Sequence, residues 1–221
     1  MDPLTRRWRA VCALAAPDAA SAVVDAIGAD LLSRWHESHR HYHGPTHLTE
    51  VLTAVDTLCA RGQLRNRSAR TAALLAGWFH DAIYDPTPDA ANEQASADLA
   101  REELGRLGVG VAVVARVCTV VLDTVDHDVA GGESGVGEER LVFHDADLWV
   151  LGAPVARFDE YCEQVRAEFA RVAPGDYAVA RTAVLRTFLT REHVYLTAHA
   201  RREWESRAKE NLAREVTRLE G

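Results

Sequence analysis

Residues 71–81 read TAALLAGWFHD, a largely apolar run that ends in an adjacent histidine and aspartate. An apolar run of this kind predicts a buried helix of the hydrophobic core. His80 and Asp81 at its end indicate that the same helix delivers polar side chains to a functional site.

Two side chains of the same chemical kind lie on either side of this run. His47 comes 33 residues before His80, and Asp147 comes 66 residues after Asp81. Neighbouring residues on a helix point about 100° apart, so His80 and Asp81 can flank one metal ion but cannot enclose it. His47 and Asp147, on two other predicted helices, would complete a site of two imidazoles and two carboxylates.

Such a ligand set predicts a divalent metal ion as cofactor. Imidazole and carboxylate together accept Mn, Fe, Co, Ni, Zn or, less readily, Mg, so the ligands do not identify the metal. Four protein ligands leave coordination positions for water and a substrate oxygen, which favours hydrolysis. Taken singly, a His-Asp pair also suits helix capping or a core hydrogen bond; the order, spacing and helical context favour the metal site.

The hydrophobic periodicity is helical nearly everywhere and predicts one all-α domain of nine to eleven helices over residues 1–221. Residues 109–125 are rich in valine, yet their length and the lack of partner strands favour a buried helix. We expect a metal-site core over about 40–150, a glycine-rich loop at 131–137 and C-terminal helices over about 154–220. The predicted helices span 2–16, 18–35, 46–62 with Thr46 as cap, 66–84, 89–107 with Asp89 as cap, 109–125, 138–151, 154–172, 176–190, a short one near Val194, and 199–219.

Composition excludes several classes of function. A formal net charge of −8 disfavours nucleic-acid binding, which depends on neutralising phosphates with Lys and Arg. No window approaches 18 uninterrupted apolar residues, so no membrane span is predicted. The N-terminus is a poor signal peptide, and we expect a cytoplasmic protein. The cysteines are scattered without a Cys-x-x-Cys pair, which argues against a thiolate zinc site: Cys12, Cys59, Cys118 and Cys162.

Together, these motifs resemble the HD superfamily of metal-dependent phosphohydrolases, whose signature is His…His-Asp…Asp on an all-helical scaffold. The resemblance covers about residues 35–215 and is specific for the superfamily, but it does not indicate a substrate. The stretches that carry it are RHYH at 40–43 with His47, WFHDAIYD at 78–85, NEQASA at 92–97, DADL at 145–148, YCEQVRAEF at 161–169 and FLTREHVY at 188–195.

The resemblance implies a compact HD-domain-like fold with His47, His80, Asp81 and Asp147 as metal ligands. It also implies a second role for Asp81, in orienting or deprotonating the attacking water. Asp145 is the alternative last ligand, two positions away on a different helical face. Asp147 is preferred because in related proteins the final aspartate follows a small residue and precedes an apolar one.

Histidines are dense before the first ligand, with five in twelve positions, and a solvated polar loop accounts for most of them. His43 lies four residues before His47, so it can face the same cleft as a phosphate donor or general acid. Arg40 is a comparable candidate, because a guanidinium matches phosphate oxygens bidentately.

Four other side chains are open to a functional and a structural interpretation. His127 could line the pocket or bind a second metal, as extra histidines of some HD proteins do, or it could cap a helix end. Glu93 could accept a hydrogen bond from a ligand histidine or offset a helix dipole. Arg166 and Arg191 could contact a substrate phosphate or form exposed ion pairs.

The leading hypothesis is therefore a metal-dependent phosphohydrolase acting on a small phosphorylated molecule such as a nucleotide. Arg40 and His43 would neutralise the developing charge. One alternative is a non-catalytic module that binds a metal or a ligand, since a fold does not fix a function. Another is an oxidative enzyme with a dinuclear iron site, which needs more ligands than these four.

Overall fold

The computed structural model describes residues 2–87, 90–129 and 137–221, and the described residues are all-α. The predicted fold class is confirmed, as is the predicted helix over the valine-rich segment 109–125. A 3₁₀ turn over Leu148–Gly152 joins two of the helices. The eleven α-helices of the described residues are α1 Pro3–Ala15, α2 Ser21–Trp35, α3 Pro45–Ala60, α4 Arg67–Phe79, α5 Asn92–Arg106, α6 Val111–Leu122, α7 Glu138–Asp147, α8 Val155–Glu168, α9 Pro174–Thr190, α10 Ala198–Glu203 and α11 Glu205–Glu220.

Several predicted boundaries differ from the observed ones. The predicted cap Thr46 lies inside α3, which begins at Pro45 after Gly44. The predicted 66–84 helix ends at Phe79, so His80 and Asp81 occupy the turn that follows α4. No helix forms near Val194, and the chain stays irregular until α10 begins at Ala198. Most of the predicted glycine-rich loop, and the predicted cap Asp89, lie outside the described residues.

Helix α4 lies at the centre of the fold, in contact with α1, α3, α5, α6 and α7. Its residues Leu75, Trp78 and Phe79 are fully buried, as a helix apolar on most of its circumference requires. Trp8 of α1 packs edge-on against Trp78, with ring centroids 5.3 Å apart. The central position of α4 fixes the location of the two polar residues at its end.

The C-terminal helices complete the core from the other side. Helix α11 packs against α9 and against the 3₁₀ turn that follows α7. The Asn211 side chain donates hydrogen bonds to the Leu151 and Ala153 carbonyls at 2.9 and 3.0 Å. None of the helices in the described ranges is both long and apolar enough to cross a membrane.

Candidate metal centre

Three helices meet at the predicted ligands. His47 lies in the first turn of α3, His80 caps the C-terminus of α4, and Asp147 is the last residue of α7. These three helices contact one another in pairs. Two helix C-termini therefore point toward one place, and their partial negative charge favours a cation there.

The donor atoms of the four predicted ligands converge. The Nε2 atoms of His47 and His80 are 3.1 Å apart. Asp147 Oδ1 lies 3.1 Å from His47 Nε2 and 3.3 Å from His80 Nε2. Asp81 Oδ2 lies 3.5 Å from His47 Nε2 and 3.1 Å from His80 Nε2. Residues from α3, from α7 and from the turn after α4 thus direct two nitrogens and two oxygens at one point.

These separations fit a divalent cation. Ligand bonds of about 2.1 Å separate neighbouring donors by about 3.0 Å in an octahedron and about 3.4 Å in a tetrahedron. The donor–donor distances here run from 3.1 to 3.5 Å. Even without Asp81, the donor atoms of His47, His80 and Asp147 all lie within 4.8 Å of one another. Two carboxylates would also neutralise the charge of a divalent ion.

The electrostatics of the cluster favour positive charge at its centre. Burial alone would lower the pKa of His80, but the charges of Asp81 and Asp147 outweigh it and raise this pKa well above its ordinary value. Against a burial effect that would raise it, the His80 charge and the hydrogen bonds of both histidines hold the pKa of Asp81 well below the usual range. Burial would raise the pKa of Asp147 as well, but His80 and His47 hold this pKa far below its usual range. Both carboxylates are therefore ionised, and the site attracts either protons or a metal ion.

Aromatic side chains hold the two imidazoles in place. The rings of Trp35 and Phe143 lie 5.5 and 5.3 Å from His80, and the ring of Tyr42 lies 4.7 Å from His47. His80 Nδ1 lies 3.1 Å from the Gly77 carbonyl, which turns Nε2 toward the cluster.

Arg40 binds three backbone carbonyls beside the cluster. Its buried guanidinium donates to the carbonyls of Asp81 and His43 at 2.6 and 3.2 Å, and to that of Ala82 at 3.2 Å. It also pairs with Glu37. The predicted phosphate contact therefore competes with four internal acceptors, and Arg40 is not part of the cavity lining.

His43 belongs to a buried network centred on Glu168. His43 Nδ1 lies 2.7 Å from Glu168 Oε2, and the Tyr84 hydroxyl donates to the same oxygen at 2.9 Å. Glu168 Oε1 accepts the backbone N–H groups of His41, Tyr42 and His43. Burial alone would raise the pKa of Glu168, but these hydrogen bonds and the His43 charge lower it to about 2.

A cavity of about 580 Å³ opens onto the cluster. His43, Asp81 and Asp147 line it, and so does the half-buried Glu93. The hydrogen-bond acceptor that the structure gives His80 is the Gly77 carbonyl, which takes the role predicted for Glu93. The cavity is large enough for a small-molecule ligand.

His127 lines the same cavity in a strained conformation. Its φ of 50° lies in the left-handed region, and its Nε2 is 3.9 Å from Asp147 Oδ2. Burial lowers the pKa of His127 to about 4 against the opposing charge of Asp147. The guanidinium of Arg191 donates to the carbonyls of Asp126 and His127 at 3.3 and 2.9 Å, so it secures this turn.

The other two candidates lie away from the cluster. Arg166 donates to the Phe169 and Val172 carbonyls, where it terminates α8. Asp145 is fully buried and accepts the N–H groups of Leu196 and Thr197, both at 2.7 Å. Asp147, rather than Asp145, therefore reaches the metal donors.

Two residues of the site have no counterpart among the sequence-based candidates. Glu168 lies within a stretch that carries the family resemblance, but no spacing rule linked it to His43 more than 120 residues away. Arg181 of α9 lines the cavity, and nothing in its sequence context separates it from other helical arginines.

No protein-family model matches the chain, and no curated protein or solved structure matches it either. The resemblance to the HD superfamily therefore stays a prediction. The structure establishes a buried His-His-Asp group, joined by Asp81, that can hold a metal ion in an all-α protein.

Proposed function

We propose that this protein is a metal-dependent phosphohydrolase of the HD type that acts on a small phosphorylated molecule. The observation that supports it most directly is the convergence of two imidazole nitrogens and two carboxylate oxygens beside a cavity of about 580 Å³. This donor set suits a catalytic divalent metal, and the cavity suits a small substrate.

His47, His80, Asp81 and Asp147 would hold a divalent cation, which supplies polarisation of a phosphoryl oxygen and a lowered pKa for an adjacent water. Asp81 has the most exposed side chain of the four, at 18% against 1–9% for the others. Its carboxylate lines the cavity, where it can orient the attacking water and accept a proton from it.

His43 and Glu168 supply the complementary proton transfer. Glu168 fixes the Nδ1 side of the His43 imidazole, as a carboxylate does for a catalytic histidine. His43 also lines the cavity. It can therefore donate a proton to the leaving-group oxygen as the phosphate ester breaks.

Replacing a ligand tests the proposal directly. We expect His80→Ala to lose bound metal and phosphate release together, measured by elemental analysis and a phosphate assay on the same samples. His36→Ala is the matched control, because His36 is exposed and lies outside the cavity. Turnover that persists in metal-free His80→Ala protein would contradict the proposal.

A substrate screen separates hydrolysis from binding. The protein loaded in turn with Mn²⁺, Co²⁺, Ni²⁺ and Mg²⁺ is offered phosphate monoesters and pyrophosphates, and we expect phosphate release with at least one metal. An absence of phosphate release from protein that is shown to hold metal would overturn the proposed hydrolase and favour a non-catalytic binding module. Two irons per chain would favour an oxidative enzyme instead.

A further inference from the structure

Arg181 is the cationic side chain that lines the cavity among the described residues. It projects from α9, whose residues Leu185 and Phe188 also face the cavity. Its Nη2 donates to the Tyr161 hydroxyl, and its guanidinium carbon lies 5.1 Å from the centre of the Tyr161 ring. The guanidinium is thereby held in a fixed position against an aromatic face.

The charge of Arg181 has no acidic partner. Within the part of the chain that the structure describes, no carboxylate oxygen lies within 4.0 Å of it, and its buried Nε has no hydrogen-bond partner. Other half-buried arginines have acceptors that Arg181 lacks: Arg157 and Arg140 pair with carboxylates, and Arg166 and Arg191 each donate to two backbone carbonyls. A buried charge without a partner is costly, so an unpaired guanidinium beside a cavity indicates an anion that comes from outside.

A series of aromatic contacts links Arg181 to the metal donors. Tyr161 packs against Tyr42 with ring centroids 4.6 Å apart, and Tyr42 packs against His47 with ring centroids 4.7 Å apart. The contact path from Arg181 to the metal ligand His47 thus runs through two aromatic rings. A phosphoryl group at the metal donors and an anion at Arg181 would be different groups of one molecule.

Much of the cavity wall is apolar. Leu151, Val165, Phe169, Leu185 and Phe188 line it. The lining of the cavity therefore combines the acidic Asp81 and Asp147, the cationic Arg181 and a set of apolar side chains. Burial of the middle of a ligand against this wall would add to its affinity.

We propose that Arg181 binds a second anionic group of the substrate. The substrate class is then a phosphate monoester that carries a carboxylate or a second phosphate, joined to the scissile phosphoryl group by an apolar spacer. The identity of the phosphoryl end rests on the proposed function. The second anion rests on the unpaired guanidinium.

Binding of phosphonates tests this subsite without requiring turnover. Isothermal titration calorimetry on Mn²⁺-loaded protein would compare phenylphosphonate with 4-carboxyphenylphosphonate and 1,4-phenylenediphosphonate. We expect at least one of the doubly anionic compounds to bind about tenfold more tightly or better than phenylphosphonate, the size of one charge-assisted hydrogen bond. The tighter of the two identifies the natural second anion as carboxylate or phosphate.

Variants assign the preference to the guanidinium. In Arg181→Gln the affinity ratio should fall to about one, and Arg181→Lys should keep part of it. Arg186→Gln is the matched control on the same helix, because Arg186 is exposed and pairs with Glu220. Circular dichroism checks that each variant is folded. The affinity ratio of the phosphonates for wild-type protein tests the subsite even where a variant does not fold.

The outcomes for the subsite and for the hydrolase are distinct. Equal affinity of wild-type protein for all three phosphonates, or a preference that survives Arg181→Gln, overturns the anion subsite. Phosphate release from 4-carboxyphenyl phosphate is measured separately. An Arg181-dependent binding preference, with no phosphate release from this ester or from any compound of the substrate screen, would leave the subsite standing and overturn the hydrolase.

Discussion

At the scale of single residues, Glu168 organises the polar side of the cavity. One oxygen of its carboxylate accepts three consecutive backbone N–H groups, and the other contacts His43 and Tyr84. A fully buried side chain with this many partners fixes the loop between α2 and α3. It positions His43 without reaching the substrate, so its contribution is measurable in stability as well as in activity.

We expect Glu168→Gln to destabilise the protein at neutral pH. The amide keeps the size of the side chain but loses the negative charge, whose interactions with His43, Tyr84 and the backbone hold the pKa of Glu168 at about 2 instead of 4.5, a difference equivalent to about 3 kcal/mol. Urea unfolding measures the loss. Glu163→Gln on the same helix is the control, because Glu163 is exposed and its substitution should have little effect.

The same pKa sets the pH dependence. A carboxyl whose folded pKa is depressed stabilises the protein above its ordinary pKa, and that stabilisation is lost as pH falls. The difference in unfolding free energy between wild type and Glu168→Gln should therefore hold above pH 4.5 and shrink as pH falls toward 2. A difference that stays constant through pH 4 would contradict this account.

At the scale of elements, the end of α4 shows what the sequence could not predict. Local pattern indicated a helix through Tyr84, yet it ends at Phe79. Arg40 donates hydrogen bonds to the carbonyls of Asp81 and Ala82, and Ile83 N–H donates to the Ser96 hydroxyl. These partners come from distant segments and replace helical hydrogen bonds, so helix propensity alone gives the wrong boundary.

Close packing between α1 and α2 gives a prediction about Gly28. A methyl group there would lie 2.7 Å from Trp8 Nε1, the atom that donates to the Val24 carbonyl. The rigid indole also packs on Trp78, so it cannot move away freely. We expect Gly28→Ala to lower the unfolding free energy by about 1–3 kcal/mol through overpacking.

Gly105→Ala makes the same change where there is room. Nothing lies within 4 Å of a methyl group at this exposed position in α5. Removing a helical glycine should stabilise the protein by about 0.5–1 kcal/mol, opposite in sign to the change at Gly28. Denaturant titration of both variants measures their unfolding free energies. A Gly28→Ala protein more stable than wild type would refute tight packing of α1 on α2.

At the scale of the whole molecule, the site draws on distant parts of the chain. The convergence of His47, His80, Asp81 and Asp147 could be predicted because ligand type, order and helical context are visible in sequence. Glu168 and Arg181 could not, because their roles depend on how α8 and α9 pack across the cavity. A buried carboxylate or an unpaired guanidinium is a property of three-dimensional surroundings, which residue type does not reveal.

Asp145 links the C-terminal segment to the helix that carries Asp147. Because it accepts both Leu196 N–H and Thr197 N–H, the two parts should unfold as one cooperative unit. Far-UV circular dichroism and tryptophan fluorescence should give coincident unfolding transitions.

Asp145→Asn offers one acceptor oxygen where two are needed, and we expect the free energy of the single unfolding transition to fall by about 3 kcal/mol. Asp159→Asn, which removes a half-exposed ion pair with Arg214, should cost about 1 kcal/mol or less. Two separate transitions, in wild type or in Asp145→Asn, would show that the C-terminal helices are an independent unit.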